Sequence, residues 1–196
     1  MGLRTRPERL GDNRHRVLMF RRLFGRAAPP QPDSAAWWRE ANALAESPDA
    51  VRIEALRIAM CDPDEAPDIA EDQLEMIEGL ERVHALRLLP ALPVVATQHR
   101  VIGQATCHFL APGSLIDPVD ASGKVFATNA ALVFAPGAAG AVKVWPWHTI
   151  AAVSRVERDV VVDLRGQPAA ARLRMNTSGD ALVMVALAER LRPNRP

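Results

Sequence analysis

Two tryptophans, a proline and a histidine stand together as Trp145-Pro146-Trp147-His148 in a 196-residue chain that contains no tyrosine. Exposed tryptophans are enriched among the residues that contribute most to binding a protein partner. Buried indoles would instead anchor a strand in the core, and Pro146 would end that strand because proline cannot donate to a sheet ladder. We predict that Trp147 and Ile150 lie in the core and that His148 lies at the surface. The alternative is a partner-binding site formed by Trp145, Trp147 and His148.

Catalysis has one candidate nucleophile with histidines nearby in sequence, Cys107 with His108 and His99. A reactive thiolate needs a base within hydrogen-bond reach. In an alternating strand Cys107 and His108 point to opposite faces, so they cannot serve each other directly. We interpret Cys107 as a buried core residue and assign no catalytic residue. The alternative is a hydrolase that uses Cys107 or His148 with a carboxylate such as Asp163.

The acidic segment Cys61–Asp68, CDPDEAPD, has the composition of a calcium-binding loop. An EF-hand loop that starts at Asp62 would need an oxygen ligand at position 66, glycine at 67 and glutamate at 73. The chain has Ala66, Pro67 and Gln73 instead. We therefore expect a solvated acidic loop, with no metal and no cofactor.

The strongest charge feature is the N-terminal segment 1–26, which carries eight arginines against two acidic residues. With its interspersed apolar residues it could form a basic amphipathic helix on an anionic membrane, contact nucleic acid, or dock on the chain's own acidic residues 62–81. It could also be a tail with no specific partner. No sequence motif supports nucleic acid, which we do not expect as a partner. The residues predicted to contact a membrane or another anion are Arg14, Arg16, Phe20, Arg21, Arg22 and Phe24.

The composition is that of a globular protein, with 48% hydrophobic residues, 24% charged residues and a net charge of +1. No apolar run approaches the ~20 residues that span a bilayer. The two cysteines, Cys61 and Cys107, lie far apart, which is typical of a reducing cytosol. Arginine outnumbers lysine 22 to two, as in high-GC bacterial genomes. We expect a cytoplasmic bacterial protein, with association at the inner membrane face as the alternative.

Three segments are predicted along the chain. Residues 1–33 form a basic flexible arm and a proline-rich linker, and residues 34–93 form about three helices. The second is capped by Ser47 with Pro48 at its first position, and its apolar residues are Val51, Leu56 with Ile53 beside it, Ile58 and Met60. After Pro93 the periodicity changes to that of short strands, the first over 101–110, with a turn at Ala-Pro-Gly 111–113. Residues 94–196 thus form an antiparallel sheet and a last helix capped by Thr177 or Ser178.

The segments Ser122–Gly137, SGKVFATNAALVFAPG, and Val144–Val153, VWPWHTIAAV, resemble GRAM-type and bacterial pleckstrin-homology-like (PH-like) domains. The resemblance covers roughly residues 97–192. It implies an α+β fold in which the helical segment precedes a PH-like antiparallel β-barrel capped by a C-terminal helix. It also implies binding surfaces for peptides or lipid headgroups. The segment Leu110–Ser122 has no basic residue, so we expect protein rather than lipid as the ligand.

The sequence therefore predicts a non-enzymatic binding or adaptor module of the bacterial cytosol that engages a protein partner. Two alternatives stay open: peripheral association with anionic lipid through the N-terminal arm, and a cysteine- or histidine-dependent hydrolase.

Overall fold

The computed structural model describes residues 34–117, 120–137, 140–167 and 170–192, which belong to one compact unit spanning Pro32–Pro196. The predictions for the arm, including its membrane or anion contacts at Arg14, Arg16, Phe20, Arg21, Arg22 and Phe24, lie outside the described residues. Within the described ranges, no helix combines the length and the apolar character needed to cross a membrane.

Three helices come first: α1 (Ser34–Glu46), α2 (Ala50–Ile58) and α3 (Pro67–Leu88). In α1 the side chains of Trp37, Ala41 and Leu44 are buried on one face, as their spacing predicts. Pro67 stands in the first turn of α3, where its missing N–H costs nothing. The predicted helical segment is confirmed.

The start of α2 differs from the prediction, and only part of its predicted apolar set is buried. Asp49, not Ser47, caps the helix: its Oδ1 accepts the N–H of Arg52 at 3.0 Å. The buried residues are Ile53 and Leu56, while Val51 and Ile58 are 78% and 79% exposed. Because 53 and 56 lie about one turn apart, they share a face that excludes 51 and 58.

One antiparallel sheet of seven strands follows. Its strands are β1 (Cys107–Asp117), β2 (Ala121–Thr128), β3 (Ala131–Pro136), β4 (Lys143–Pro146), β5 (Ile150–Val156), β6 (Asp159–Leu164) and β7 (Ala171–Met175). Their order is β4-β3-β2-β1-β7-β6-β5, so β4 and β5 are the two edges and the sheet stays open between them. An open PH-like sheet followed by a C-terminal helix confirms the predicted α+β fold.

Strand β1 lies further along the chain than predicted and runs through the Ala-Pro-Gly tripeptide that predicted a turn. Residues 101–105 form turns instead. Along β1, Ala111 and Gly113 are buried and Pro112 is exposed. Gly113 pairs with β2 and β7 at once, and a Cβ atom on it would lie 2.9 Å from the carbonyl oxygen of Arg174. Glycine is therefore required by a close strand approach rather than by a turn.

The last helix, α4 (Ser178–Leu191), begins as predicted: Thr177 Oγ1 accepts the N–H of Asp180 at 2.9 Å. It packs on the sheet, and α3 packs on it. One cluster of buried apolar side chains contains Leu44 and Leu80 from the helices and Leu132 and Leu173 from the sheet. The core thus continues across the predicted division between 34–93 and 94–196, and the domain limits themselves stay a prediction.

Candidate partner-binding site

Strand β4 ends at Pro146, and Trp147–Thr149 form one turn of 3-10 helix before β5. Thr149 Oγ1 donates to the carbonyl oxygen of Pro146 at 2.8 Å and closes this turn. Trp147 and Ile150 are three residues apart in it, and both reach the core, with 3% and 0% of their surface exposed. His148 faces solvent. The prediction for Trp147, Ile150 and His148 is confirmed.

The indole of Trp147 joins this turn to the connection between β2 and β3. The ring Nε1 donates to the carbonyl oxygen of Thr128 at 2.7 Å, and the backbone N–H of Trp147 donates to the carbonyl oxygen of Ala130. Thr128 Oγ1 in turn accepts the N–H groups of Ala130 and Ala131 at 3.2 and 3.0 Å. A buried indole needs such a partner for its N–H, so Trp147 acts here as a structural anchor.

The other two predicted partner residues keep accessible surface. Trp145 is half-buried in β4, where it pairs with Leu132 and packs against the main core. His148 is exposed beside it in the chain. Trp147 is buried, so Trp145 and His148 are the two that can present surface to a partner, and that role stays a prediction.

An open groove of about 740 Å³ lies beside His148, where the connection between the two edge strands of the sheet meets the end of α4. Its volume is within the range of ligand pockets. We call it the seam groove, lined by Asn129, Ala130, Trp147, His148, Glu189, Arg190, Leu191 and Arg192. Two hydrogen bonds hold Asn129 against Thr106. The backbone N–H of Thr106 donates to Asn129 Oδ1, and the backbone N–H of Asn129 donates to the carbonyl oxygen of Thr106.

Three arginines at or beside the seam groove carry positive charge that no described carboxylate compensates. Arg190 Nη1 donates to the carbonyl oxygen of Leu86 at 2.6 Å, and Arg165 Nε donates to that of His148 at 3.1 Å. Neither these two nor Arg192 lies within ion-pair distance of an acidic group in the described residues. None of the three was predicted from the sequence, because arginines near a helix end or in a turn are common surface features.

The cysteine site predicted by the hydrolase alternative is not assembled. Cys107 is buried, its Sγ donates to the carbonyl oxygen of Phe109 at 3.1 Å, and burial raises the pKa of its thiol. His108 contacts the segment before the strand, with its Nδ1 2.8 Å from the carbonyl oxygen of Pro93. His99 packs against Phe126 with ring centroids 4.9 Å apart and ring planes inclined by 49°. A raised thiol pKa disfavours the thiolate that nucleophilic attack requires.

The acidic loop between α2 and α3 is exposed and closed by local bonds. The N–H of Asp64 donates to Asp62 Oδ1 at 2.9 Å, and the N–H of Ala66 to the carbonyl oxygen of Asp62 at 2.9 Å. No set of three histidine, cysteine, aspartate or glutamate side chains in the described parts of the chain is arranged to hold a metal ion.

A second charged cluster, at the turn between β5 and β6, was not predicted. Asp159 is almost fully buried and accepts two hydrogen bonds from Arg174, at 2.8 and 3.1 Å, with Arg172 Nη2 2.5 Å away. The hydrogen bond from Arg174 is the main cause that holds the pKa of Asp159 below its usual value, and Arg172 adds to it. The alternation of Arg172 and Arg174 around buried Leu173 was the available sequence signal.

The same turn contacts the helical segment. Arg158 Nη2 lies 2.5 Å from Asp72 Oδ1 and 3.7 Å from Glu75 Oε2, both on α3. Burial is the main cause that raises the pKa of Glu75. Glu157 has a left-handed backbone with φ 55°, a conformation that favours glycine. Asp72, Glu157 and Arg158 line part of a cavity of about 680 Å³, and Asp72 and Arg158 are already paired with each other.

The fold and the seam groove define an α+β protein with an open PH-like sheet and an exposed polar groove at the sheet's open edge. No protein-family model matches the sequence, and no curated protein matches it. Several solved structures are similar at low level, including the following three. The first is the C-terminal domain of an unknown protein from Leishmania infantum, with 16% identity and a TM-score of 0.37 over 44% of this chain and 84% of that one.

The other two are RhoGEF structures that contain DH and PH domains. The DH/PH domain of human ARHGEF11, in a ternary complex with human RhoA and its inhibitor, has 13% identity and a TM-score of 0.41, covering 78% of this chain and 53% of that one. The truncated linker-DH/PH domains of p115-RhoGEF have 9% identity and a TM-score of 0.41, covering 83% and 56%. This chain therefore spans about half of each RhoGEF chain, and at these scores no functional conclusion follows.

Proposed function

We propose that this protein is a non-enzymatic PH-like binding module and that it engages a protein partner at the seam groove. The observation that carries the proposal is the groove itself, which joins exposed His148 to the end of α4 beside the open seam of the sheet. The sheet side of the groove is anchored by Trp147 bonded to Thr128 and by Asn129 bonded to Thr106. A fixed, solvent-open surface suits a macromolecular partner, which needs no enclosed pocket.

The side chains at the groove also favour a protein ligand. Arginine and tryptophan are enriched where protein interfaces contribute most energy. Half-buried Trp145 and the arginines Arg190 and Arg192 provide these types near His148. The connection from β1 to β2 has Asp117 and Asp120 at its ends and is acidic, which does not suit a phosphorylated lipid headgroup.

The finer parts of the proposal rest on the sequence. A GRAM-type relationship and a bacterial cytosolic setting follow from the motif resemblance and from the arginine-rich composition. Membrane association through residues 1–26 rests on charge alone and has no support in the described residues. The hydrolase alternative is disfavoured by the buried Cys107 thiol, whose pKa is raised.

Photo-cross-linking from the groove tests the proposal. A photoreactive amino acid replaces His148, and in a control protein it replaces Val51, which is also exposed, on α2. Both proteins are expressed in the native host and irradiated. We expect a discrete protein adduct from position 148 that is missing from position 51. No adduct at 148, or the same adduct at both positions, contradicts the proposal.

A further inference from the structure

We infer that the partner presents an acidic protein segment to the seam groove. This inference rests on the proposed function and adds the chemistry of the partner. Its ground is the charge of the groove: Arg190 and Arg192 line it and Arg165 lies beside it, against a single lining carboxylate on Glu189.

The arginines are oriented without being neutralised. Arg190 and Arg165 each give one N–H to a backbone carbonyl oxygen, of Leu86 and His148 respectively. A carbonyl oxygen fixes the direction of a guanidinium but leaves its charge uncompensated. Each guanidinium has five N–H donors, so the remaining donors can form paired hydrogen bonds with a carboxylate.

Three arginines elsewhere on the fold behave differently. Arg158 in the turn between β5 and β6, and Arg172 and Arg174 in β7, each lie within ion-pair distance of a carboxylate. Their charge is satisfied within the protein, whereas the charge at the seam groove is available to a partner. Charge complementarity of this kind guides the choice of partner and speeds association.

An extended acidic segment fits the groove better than a compact phosphate does. The positive groups come from two parts of the fold, Arg165 from the turn after β6 and Arg190 and Arg192 from the end of α4, where Glu189 also lies. A single dianionic headgroup near Glu189 would be repelled. A peptide can distribute its carboxylates along the arginines and place other residues beside Glu189 and Leu191.

Titration of the full chain with defined probes tests this inference. The probes are a synthetic peptide rich in glutamate and aspartate, its glutamine and asparagine isostere, and vesicles of phosphatidylglycerol. Backbone amide resonances report binding residue by residue. We expect the acidic peptide to shift His148, Glu189 and Arg192, and the isostere to shift none of them. Binding should weaken as salt rises, because exposed charges are screened.

Charge variants supply the second arm. Arg192→Glu and Arg165→Glu should each lower the affinity for the acidic peptide by about tenfold or more. Arg100→Glu, at an exposed arginine of the segment before β1, is the matched control and should leave affinity unchanged. Arg192→Gln removes the charge without reversing it and covers the case in which a reversal variant does not fold.

Several outcomes would overturn the inference. They are equal binding of the isostere, shifts that map away from the groove, preferential binding of the vesicles, or insensitivity to the arginine variants. The proposed function fails separately, when position 148 yields no protein adduct. An adduct that forms at 148 and survives Arg192→Glu keeps the proposed function and rejects the acidic segment.

Discussion

Gly79 in α3 and Gly179 in α4 meet backbone to backbone: a Cβ atom on Gly79 would lie 2.4 Å from the Cα of Gly179. Two helices come this close only where neither carries a side chain at the crossing. The contact ties the N-terminal helical segment to the helix that covers the sheet. It explains why the two parts of the chain share one hydrophobic core.

Replacing Gly79 by alanine should therefore destabilise the protein by ~1–3 kcal/mol, the usual cost of overpacking. The sign is informative, because glycine to alanine inside an exposed helix normally stabilises by about 0.8–1.0 kcal/mol. Urea denaturation measures the free energy of unfolding. Glu78→Ala, at the exposed neighbouring position, is the control. A stabilised Gly79→Ala variant would mean that the helices do not cross at these glycines.

Removal of the indole at Trp147 should cost ~3–5 kcal/mol, the range for deleting a large buried aromatic side chain. It would also leave the carbonyl oxygen of Thr128 without its donor. His148→Ala should change the free energy of unfolding by less than ~0.5 kcal/mol, since its side chain is exposed. Chemical denaturation of both variants decides the point. An unmoved midpoint for Trp147→Ala would place the indole at the surface.

Local signals predicted much of this fold. Helical spacing identified α1 and α3, and the cap at Thr177 marked the start of α4. The burial of Trp147 and Ile150 also followed from sequence, because Pro146 must end a strand and three residues suffice to turn both side chains inward. Each of these inferences depends on residues close together in the chain.

Features that depend on distant residues were missed. Pro112 and Gly113 predicted a turn, yet β1 continues through them because β2 and β7 pair with it there. The buried Asp159 could not be distinguished from a surface acid until β7 was placed beside it. Likewise, the groove exists only because the end of α4 reaches the turn that contains His148.

Acidification should lower the free energy of unfolding because Asp159 becomes protonated. The pKa of Asp159 is lower in the folded chain than in the unfolded chain. Its contribution to the free energy of unfolding is therefore complete above the unfolded pKa of about 3.9. That contribution is lost as pH falls through the folded pKa. Asp159→Asn should cost ~1–3 kcal/mol at neutral pH, since it weakens charge-assisted hydrogen bonds. The variant should also lose less stability on acidification. Asp163→Asn, at an exposed position of the same strand, is the control.

The thiol of Cys107 should resist alkylation. Burial raises its pKa and removes it from solvent, so iodoacetamide at neutral pH should label it only after unfolding. A Cys61→Ser background isolates its signal in mass spectra, because Cys61 is partly exposed. Rapid labelling of native Cys107 would indicate an activated nucleophile and would restore the hydrolase alternative.

The central claim is that a protein partner occupies the seam groove, and a blocked groove tests it most directly. Ala130 lines the groove with an exposed side chain, so Ala130→Trp fills it without changing its charge. Ala85→Trp places the same side chain on the exposed face of α3 and is the matched control.

The measurement is the affinity, by calorimetry, of the purified partner captured from position 148 for the wild-type chain and both variants. We expect Ala130→Trp to weaken binding by about tenfold or more, as a clash within an interface does, while Ala85→Trp binds like the wild type. Equal affinities for all three proteins would contradict the central claim and would place the partner elsewhere on the molecule.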